Sequence, residues 1–364
     1  MWEGLYYVFF AFLDNGQYCI SKPAVIEMLF YLFKKEEKHM KKLYTLFLAM
    51  LLAAGILAGC GGAEKPNKNT SSNEPKQEQK SEKEFPVTIK DATGKEAVID
   101  SKPERIVSLI PSNTEIAFAL GLGEEVVGVS DHDNYPEEAT KKEKIGGMEI
   151  NVEKIISLNP SLVLANPSIA QSSKEGLQQL KDAGITVLVV NDAQNFEQVY
   201  DSIEMIGTAT GEMDEAEKII QNMKDRISKI KEKASVIEEN KQKTVFVEIS
   251  PAPEIYTPGK NTFMDKMLSI INAKNAFGDL EGWAKIDQEA VIEKNPDVIV
   301  TTYGFYEKDP VGNVTSRKGW ENINAVKNKQ VFDVHSDLVS RPGPRLAEGV
   351  EELAKAVYPE IFAE

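Results

Sequence analysis

From residue 85 onward, two spacings of apolar residues take turns along the chain. Short, mostly apolar runs at 105–110, 126–129, 162–164 and 185–190 have the form of strands buried on both faces of a parallel sheet. Between them, at 111–121, 174–184 and 196–207, apolar residues return every three or four positions, which predicts helices covering that sheet. Residues 86–99 predict a small hairpin instead, with Val87 and Ile89 alternating, a turn at 91–94, and residues 97–99 returning. The alternation resumes with strands at 244–249, 298–300 and 330–334 and helices at 262–273, 289–294, 320–326 and 345–357. Between the two series lies a stretch of another kind. From 212 to about 240 there is no Pro or Gly, and Ala216, Ile219, Ile220, Met223, Ile227, Ile230, Ala234 and Ile237 form one stripe. A helix of about 27 residues spans roughly 40 Å, enough for a rigid strut. The expected fold class is α/β, with two lobes joined by a single long helix.

One short text is written twice, 136 residues apart. Residues 151–165 align without a gap on 287–301, so that Glu153 falls on Glu289, Ile156 on Ile292, Asn159 on Asn295 and Pro160 on Pro296. Each copy predicts a short helix ended by Asn-Pro, because proline cannot continue a helix and biases its predecessor towards extended backbone. An apolar strand follows in each. One unit repeated at this spacing implies two lobes of one design. Folding does not require an acid at the same helix position twice. The matched glutamates are either solvated helix-start carboxylates favoured by the helix dipole or groups with a use outside the core.

The formal net charge of −15 leaves a nucleic-acid partner without a basic groove to bind it. Two cysteines, Cys19 and Cys60, exclude a disulfide framework and a cysteine metal site. Cys60 has an explanation of its own. Lys41 and Lys42 precede an uncharged apolar run of 17 residues, 43–59, which ends in small residues just before Cys60. That is the layout of a bacterial lipoprotein signal, and the run is shorter than the roughly 20 residues of a spanning helix. The expectation is a signal peptide at 40–59, lipidation of Cys60, and a two-chain anchor holding the protein on the extracytoplasmic face of the cell membrane. Residues 61–84 are almost devoid of apolar side chains, so 60–84 is expected to be a flexible tether with a reach on the order of 25–30 Å. Residues 1–39 precede a complete signal that begins at Met40, and are expected to be an upstream extension from a mis-assigned start.

Catalytic groups are sparse. Beyond the anchor the body has two histidines, His132 and His335, no cysteine, no Gly-x-Ser-x-Gly, no phosphate-cradling Gly-Lys-Ser and no His-Glu-x-x-His. Two histidines are also too few for a zinc or manganese cargo. A body of this kind fits a capture protein rather than an enzyme. Six segments then occur in a telling order: 105–128 with Pro-Ser-Asn-Thr-Glu at 111–115, Ser-Asp-His-Asp-Asn-Tyr-Pro at 130–136, Gly-Gly-Met at 146–148, the two glutamate copies, and Ser-Arg-Pro-Gly-Pro-Arg at 340–345. Together they resemble the cobalamin and iron-siderophore substrate-binding lipoproteins of type II ABC importers, over about residues 86–364. The resemblance implies two Rossmann-like lobes, at 85–210 and 242–364, linked by the long helix at 211–241, with a ligand cleft between them and the family's binding domain over about 104–364. It implies that Glu153 and Glu289 dock on arginines of a permease dimer served by ATPase subunits, and that the protein acts as a monomer without a cofactor of its own.

Within that family the chain looks closest to cobalamin binders, through Asp133–Pro136, Met148 and Trp283. A corrin is a wide, partly apolar disc that aromatic side chains can cover, and Tyr135, Trp283, Tyr303 and Phe305 are the candidates. Where the best-known cobalamin binders carry more tryptophan, the matching positions hold His132, Asn166 and Leu338. A ferric siderophore or haem is therefore the alternative ligand, for which Arg341 and Arg345 offer cationic groups.

Overall fold

The computed structural model describes residues 85–362, all of which belong to one compact unit. The upstream extension, the signal, Cys60 and the tether lie outside the described residues.

The first lobe opens with an antiparallel hairpin, β1 (Val87–Lys90) and β2 (Glu96–Ile99). A five-stranded parallel sheet follows, built from β3 (Ile106–Ser108), β4 (Val126–Val129), β5 (Glu143–Lys144), β6 (Leu162–Ala165) and β7 (Thr186–Val189) in the order β5-β4-β3-β6-β7. Its helices are α1 (Pro111–Ala119), α2 (Glu137–Thr140), α3 (Val152–Ser157), α4 (Pro167–Ser172), α5 (Lys174–Asp182) and α6 (Phe196–Thr210). The long helix is α7 (Met213–Ala234). The second lobe has a four-stranded parallel sheet in the order β10-β8-β12-β13, from β8 (Thr244–Glu248), β10 (Lys274–Asn275), β12 (Val298–Thr301) and β13 (Val331–Asp333). A separate antiparallel pair, β9 (Tyr256–Pro258) with β11 (Trp283–Lys285), stands beside it. Its helices are α8 (Phe263–Ile270), α9 (Gln288–Lys294), α10 (Pro310–Thr315), α11 (Asn324–Lys327), α12 (Ser336–Ser340), α13 (Leu346–Val357) and α14 (Pro359–Phe362).

Because successive strand residues point to opposite faces, each sheet divides its apolar side chains between two cores. Ile106, Leu162 and Leu164 of the first sheet join Val245, Val247, Val298 and Val300 of the second in one continuous core with residues of α6, α7, α8 and α13. Val107, Val163 and Val187 face a core private to the first lobe, and Phe246 and Ile299 one private to the second. The lobes are thus joined by shared packing as well as by a connecting helix. Phe196 of one lobe meets Phe263 of the other edge to face, with centroids 6.0 Å apart. Arg226 on α7 forks onto Glu351 on α13 with bonds of 2.8 and 2.7 Å.

Three local expectations are corrected. The long helix stops at Ala234 rather than near 240, followed only by a 3-10 turn at Glu239–Lys241. The stop comes from a distant side chain: Asn272 Nδ2 donates to the Ala234 carbonyl at 3.4 Å and the Ile237 carbonyl at 2.9 Å, satisfying groups that further helix would have used. The residues before the two repeat prolines are left-handed, not extended, with φ of 48° at Asn159 and 43° at Asn295. Asparagine tolerates that region, and it ends each helix there. The helix expected at 320–326 forms only at Asn324–Lys327, where Asn295 Oδ1 accepts from the Asn324 amide at 2.8 Å, while Trp320 is wholly buried against Phe246, 6.4 Å between centroids.

Candidate functional site

The carboxyl ends of the two sheets face each other, as contacts between the segments that follow those ends establish. α1 and the 130–136 loop follow β3 and β4, and the segment 335–345 follows β13. Arg341 Nη1 donates to Glu115 Oε1 at 2.7 Å and to Asn134 Oδ1 at 2.8 Å. Arg345 donates from Nε to Glu115 Oε2 at 2.9 Å and from Nη2 to Oε1 at 2.6 Å. Asn134 Nδ2 donates to Asp337 Oδ2 at 2.9 Å. Glu115, 3% exposed, is therefore held by two arginines of the opposite lobe. Burial pulls the Arg345 guanidinium down from its ordinary pKa, but the hydrogen bonds and charge of Glu115 outweigh it and the net shift is upward. The same guanidinium lies 3.8 Å from the Tyr135 ring centroid, a stacked cation–π arrangement. A groove of about 710 Å³ opens on the long-helix side of this clasp, walled by Phe118, Tyr135, Met223 and Arg345 among others and without Trp283, Phe305 or Met148. The crevice outside the carboxyl ends of parallel strands is where open α/β sheets hold ligands.

The sequence candidates fall into three groups. Trp283 (51%) and Phe305 (65%) are exposed, as are Met148 and His132, and Tyr135 is 44% exposed with the Arg345 guanidinium over its ring. Phe305 meets Tyr306 edge to face at 4.7 Å. Others are committed to the fold. Asn166 accepts a bond from the Ile169 amide and caps α4, and Leu338 is half-buried against the shared core. Tyr303 needs correction as a ligand contact: it is fully buried and its hydroxyl donates to Glu248. Burial and the Glu248 charge hold its phenol pKa well above the usual range. Arg341 and Arg345, read as cations for a siderophore, are both taken up by Glu115.

Sequence reasoning missed three features. Glu115 was visible only as one letter of the 111–115 segment, since its partners lie some 230 residues on. Tyr306 and Tyr256, 56% and 39% exposed, add to the aromatic face of the second lobe; Tyr256 lies opposite Lys285 across β9–β11, two residues from Trp283. The third is a contrast in buried acids. Glu248 in the second lobe is fully matched, accepting bonds of 2.6 Å from Arg317 Nη1 and Nη2. Asp133 in the first lobe accepts 2.6 Å from Ser130 Oγ, but its other oxygen is buried without a partner, and burial raises its pKa.

The repeat copies place their glutamates alike. Asn151 and Asp287 cap the two helices, accepting from the amides of Lys154 at 2.9 Å and Ala290 at 2.8 Å. This fixes Glu153 and Glu289 at the same turn of α3 and α9, both exposed. Among the described residues neither carboxylate has an ion-pair partner, whereas Lys154 next to Glu153 and Lys294 at the end of α9 pair with Glu143 and Asp279.

Comparison with known proteins agrees with this architecture. The family model for periplasmic binding proteins matches residues 106–338. The ABC transporter substrate-binding lipoprotein YvrC of Bacillus subtilis is 52% identical over 325 residues, covering 89% of this chain and all of that protein. The chain belongs to the periplasmic binding protein family and has its class III fold, two lobes with parallel sheets. A solved structure from Staphylococcus epidermidis, described as a possible iron-binding periplasmic solute-binding protein, is 40% identical with a TM-score of 0.63, over 71% of this chain and all of that one. The periplasmic vitamin B12-binding protein BtuF of Vibrio cholerae is 27% identical with a TM-score of 0.57, over 71% of this chain and 97% of its own.

Proposed function

We propose that this solute-binding protein captures cobalamin, or a related corrinoid, between its lobes and delivers it to the permease dimer of an ABC importer, anchored at the membrane through lipid on Cys60. The observation that carries the ligand assignment is the exposed aromatic set of the second lobe, Tyr256, Trp283, Phe305 and Tyr306. Phe305 and Tyr306 lie on the segment that follows β12, Tyr256 on the strand that follows β8, and Trp283 on β11, the antiparallel partner of that strand. Exposed aromatic area of this extent marks a contact surface in a soluble body, and it suits the broad face of a macrocycle. Engagement of Arg341 and Arg345 by Glu115 favours a ligand without a demand for free arginines over an anionic siderophore. The delivery assignment rests on Glu153 and Glu289, exposed at equivalent places on two lobes and without an ion-pair partner among the described residues, the chemistry an arginine fork grips bidentately. The second reading, a ferric siderophore or haem, is favoured by the likeness to the possible iron-binding protein of Staphylococcus epidermidis. Calorimetric titration of the full-length protein with cyanocobalamin, haem and ferric siderophores decides between them. Cobalamin binding at micromolar concentration or tighter supports the first reading. Heat from haem or a siderophore alone moves the ligand to the second.

A further inference from the structure

The repeat preserves more than its acid. Position by position, Ile155 and Val291 are fully buried under their helices, and Pro160 and Pro296 are buried at the turns. These matches are what packing requires. Ile156 and Ile292 are not of that kind. Each is 41% exposed, one helical turn beyond the exposed glutamate of its own lobe. A spacing of three residues puts glutamate and isoleucine on one helix face, side by side. The two positions that follow have drifted: Ser157 stands against Glu293 and Leu158 against Lys294. Those two positions lie on other faces of the helix, so the identity kept at 156 and 292 belongs to the face that carries the glutamates.

We infer that Ile156 and Ile292 are the apolar half of a two-point docking footprint, each entering a socket beside the cation that receives Glu153 or Glu289 on one subunit of a two-fold symmetric permease dimer. The inference rests on the reading of the glutamates as docking groups. A single exposed isoleucine is commonplace on protein surfaces; two with equal exposure, in equal relation to an unpaired carboxylate, on two lobes of one chain, fit a partner that presents the same surface twice. The two halves of the footprint divide the work. The carboxylates steer and orient the approach through charge, and the isoleucines hold the complex by excluding water once it has formed.

The two contributions separate by salt. Binding of the full-length chain to nanodiscs carrying the importer's permease and ATPase subunits is measured at low and high ionic strength. Ile156→Ser and Ile292→Ser should each weaken binding about fivefold, and the pair about twentyfold or more, chiefly through faster dissociation. That loss should be the same at both salt concentrations, whereas the loss in the Glu153→Ala/Glu289→Ala protein should shrink as salt rises. Ligand affinity and thermal stability should stay at wild-type values in the isoleucine variants, and Ile→Val at both sites should retain most of the binding. Unchanged affinity in the double serine variant, with the glutamate variant weakened, overturns this inference and leaves the docking reading standing. If neither double variant is weakened, the docking reading falls with it.

Discussion

Helix α3 leaves Glu153 and Ile156 in solvent, and helix α9 does the same with Glu289 and Ile292, down to the capping bond at one end and the left-handed asparagine at the other. The faces the lobes turn towards each other share nothing of this kind. The first lobe contributes Glu115, Asn134, a single stacked Tyr135 and a half-satisfied buried Asp133. The second contributes two arginines, four exposed aromatic rings and a fully paired Glu248. The two lobes are alike on the face they turn outward and unlike where they face each other. A two-fold symmetric partner asks for equal faces, and an unsymmetrical small molecule asks for unequal ones.

The sharpest way to test that divergence is through the two buried acids. Glu248→Ala would strand the Arg317 guanidinium, which is 9% exposed and has no other acid among its bonded partners. Breaking a buried pair from one side costs about 3–5 kcal/mol, so chemical denaturation should show a loss of that size with the private core of the second lobe most affected. Trp283→Ala tests the aromatic face. Removing one ring that covers a macrocycle should cost about 1.5–3 kcal/mol, a tenfold to hundredfold weaker affinity for cyanocobalamin by calorimetry. His132→Ala on the opposite lobe should cost less. If the two changes weaken binding equally, the unequal roles given to the two cleft faces are wrong.

Smaller effects probe single side chains. Asn272→Ala removes the side chain that bonds the end of α7 and accepts from Gln242, and should lower stability by about 1–2 kcal/mol through the lost hydrogen bonds, measurable by urea midpoint. Asp133→Asn should act in the opposite direction. Burial holds the Asp133 pKa above its ordinary 3.8, so the folded state prefers the protonated acid. Stability is lost as pH rises from the unfolded pKa through the folded one, and the penalty is fully present at neutral pH. The asparagine can keep the Ser130 bond without the buried charge. Its melting temperature should exceed the wild type's at pH 7, with the difference closing below about pH 4. A variant no more stable than wild type at neutral pH would mean that Asp133 is paired in solution.

These regions were unequally legible in the sequence. Strands with unbroken apolar runs, such as 162–164 and 298–300, declare themselves, because a parallel sheet buries every residue of its central strands. The repeat was legible because sequence identity needs no geometry to be seen. The β9–β11 pair was not, since its three-residue strands carry Tyr256, Trp283 and Lys285 on an exposed face and lack an apolar run. The end of α7 depended on Asn272, which is remote in the chain and local in space. The cleft suffered most. Tyr303 and Phe305 look equivalent as letters, yet one is sealed by Glu248 and Arg317 while the other stands in solvent. Glu115 carried no signal, because a clasp exists only once two lobes are brought together.

The central claim is that the glutamate face serves the permease and the cleft serves the ligand, each without the other. It is tested most directly by measuring ligand affinity and cellular uptake side by side for the Glu153→Ala/Glu289→Ala protein. The account predicts wild-type affinity for the ligand and nearly abolished uptake. Lost affinity, with normal transport of whatever ligand is still held, would place the two glutamates in the cleft and contradict it.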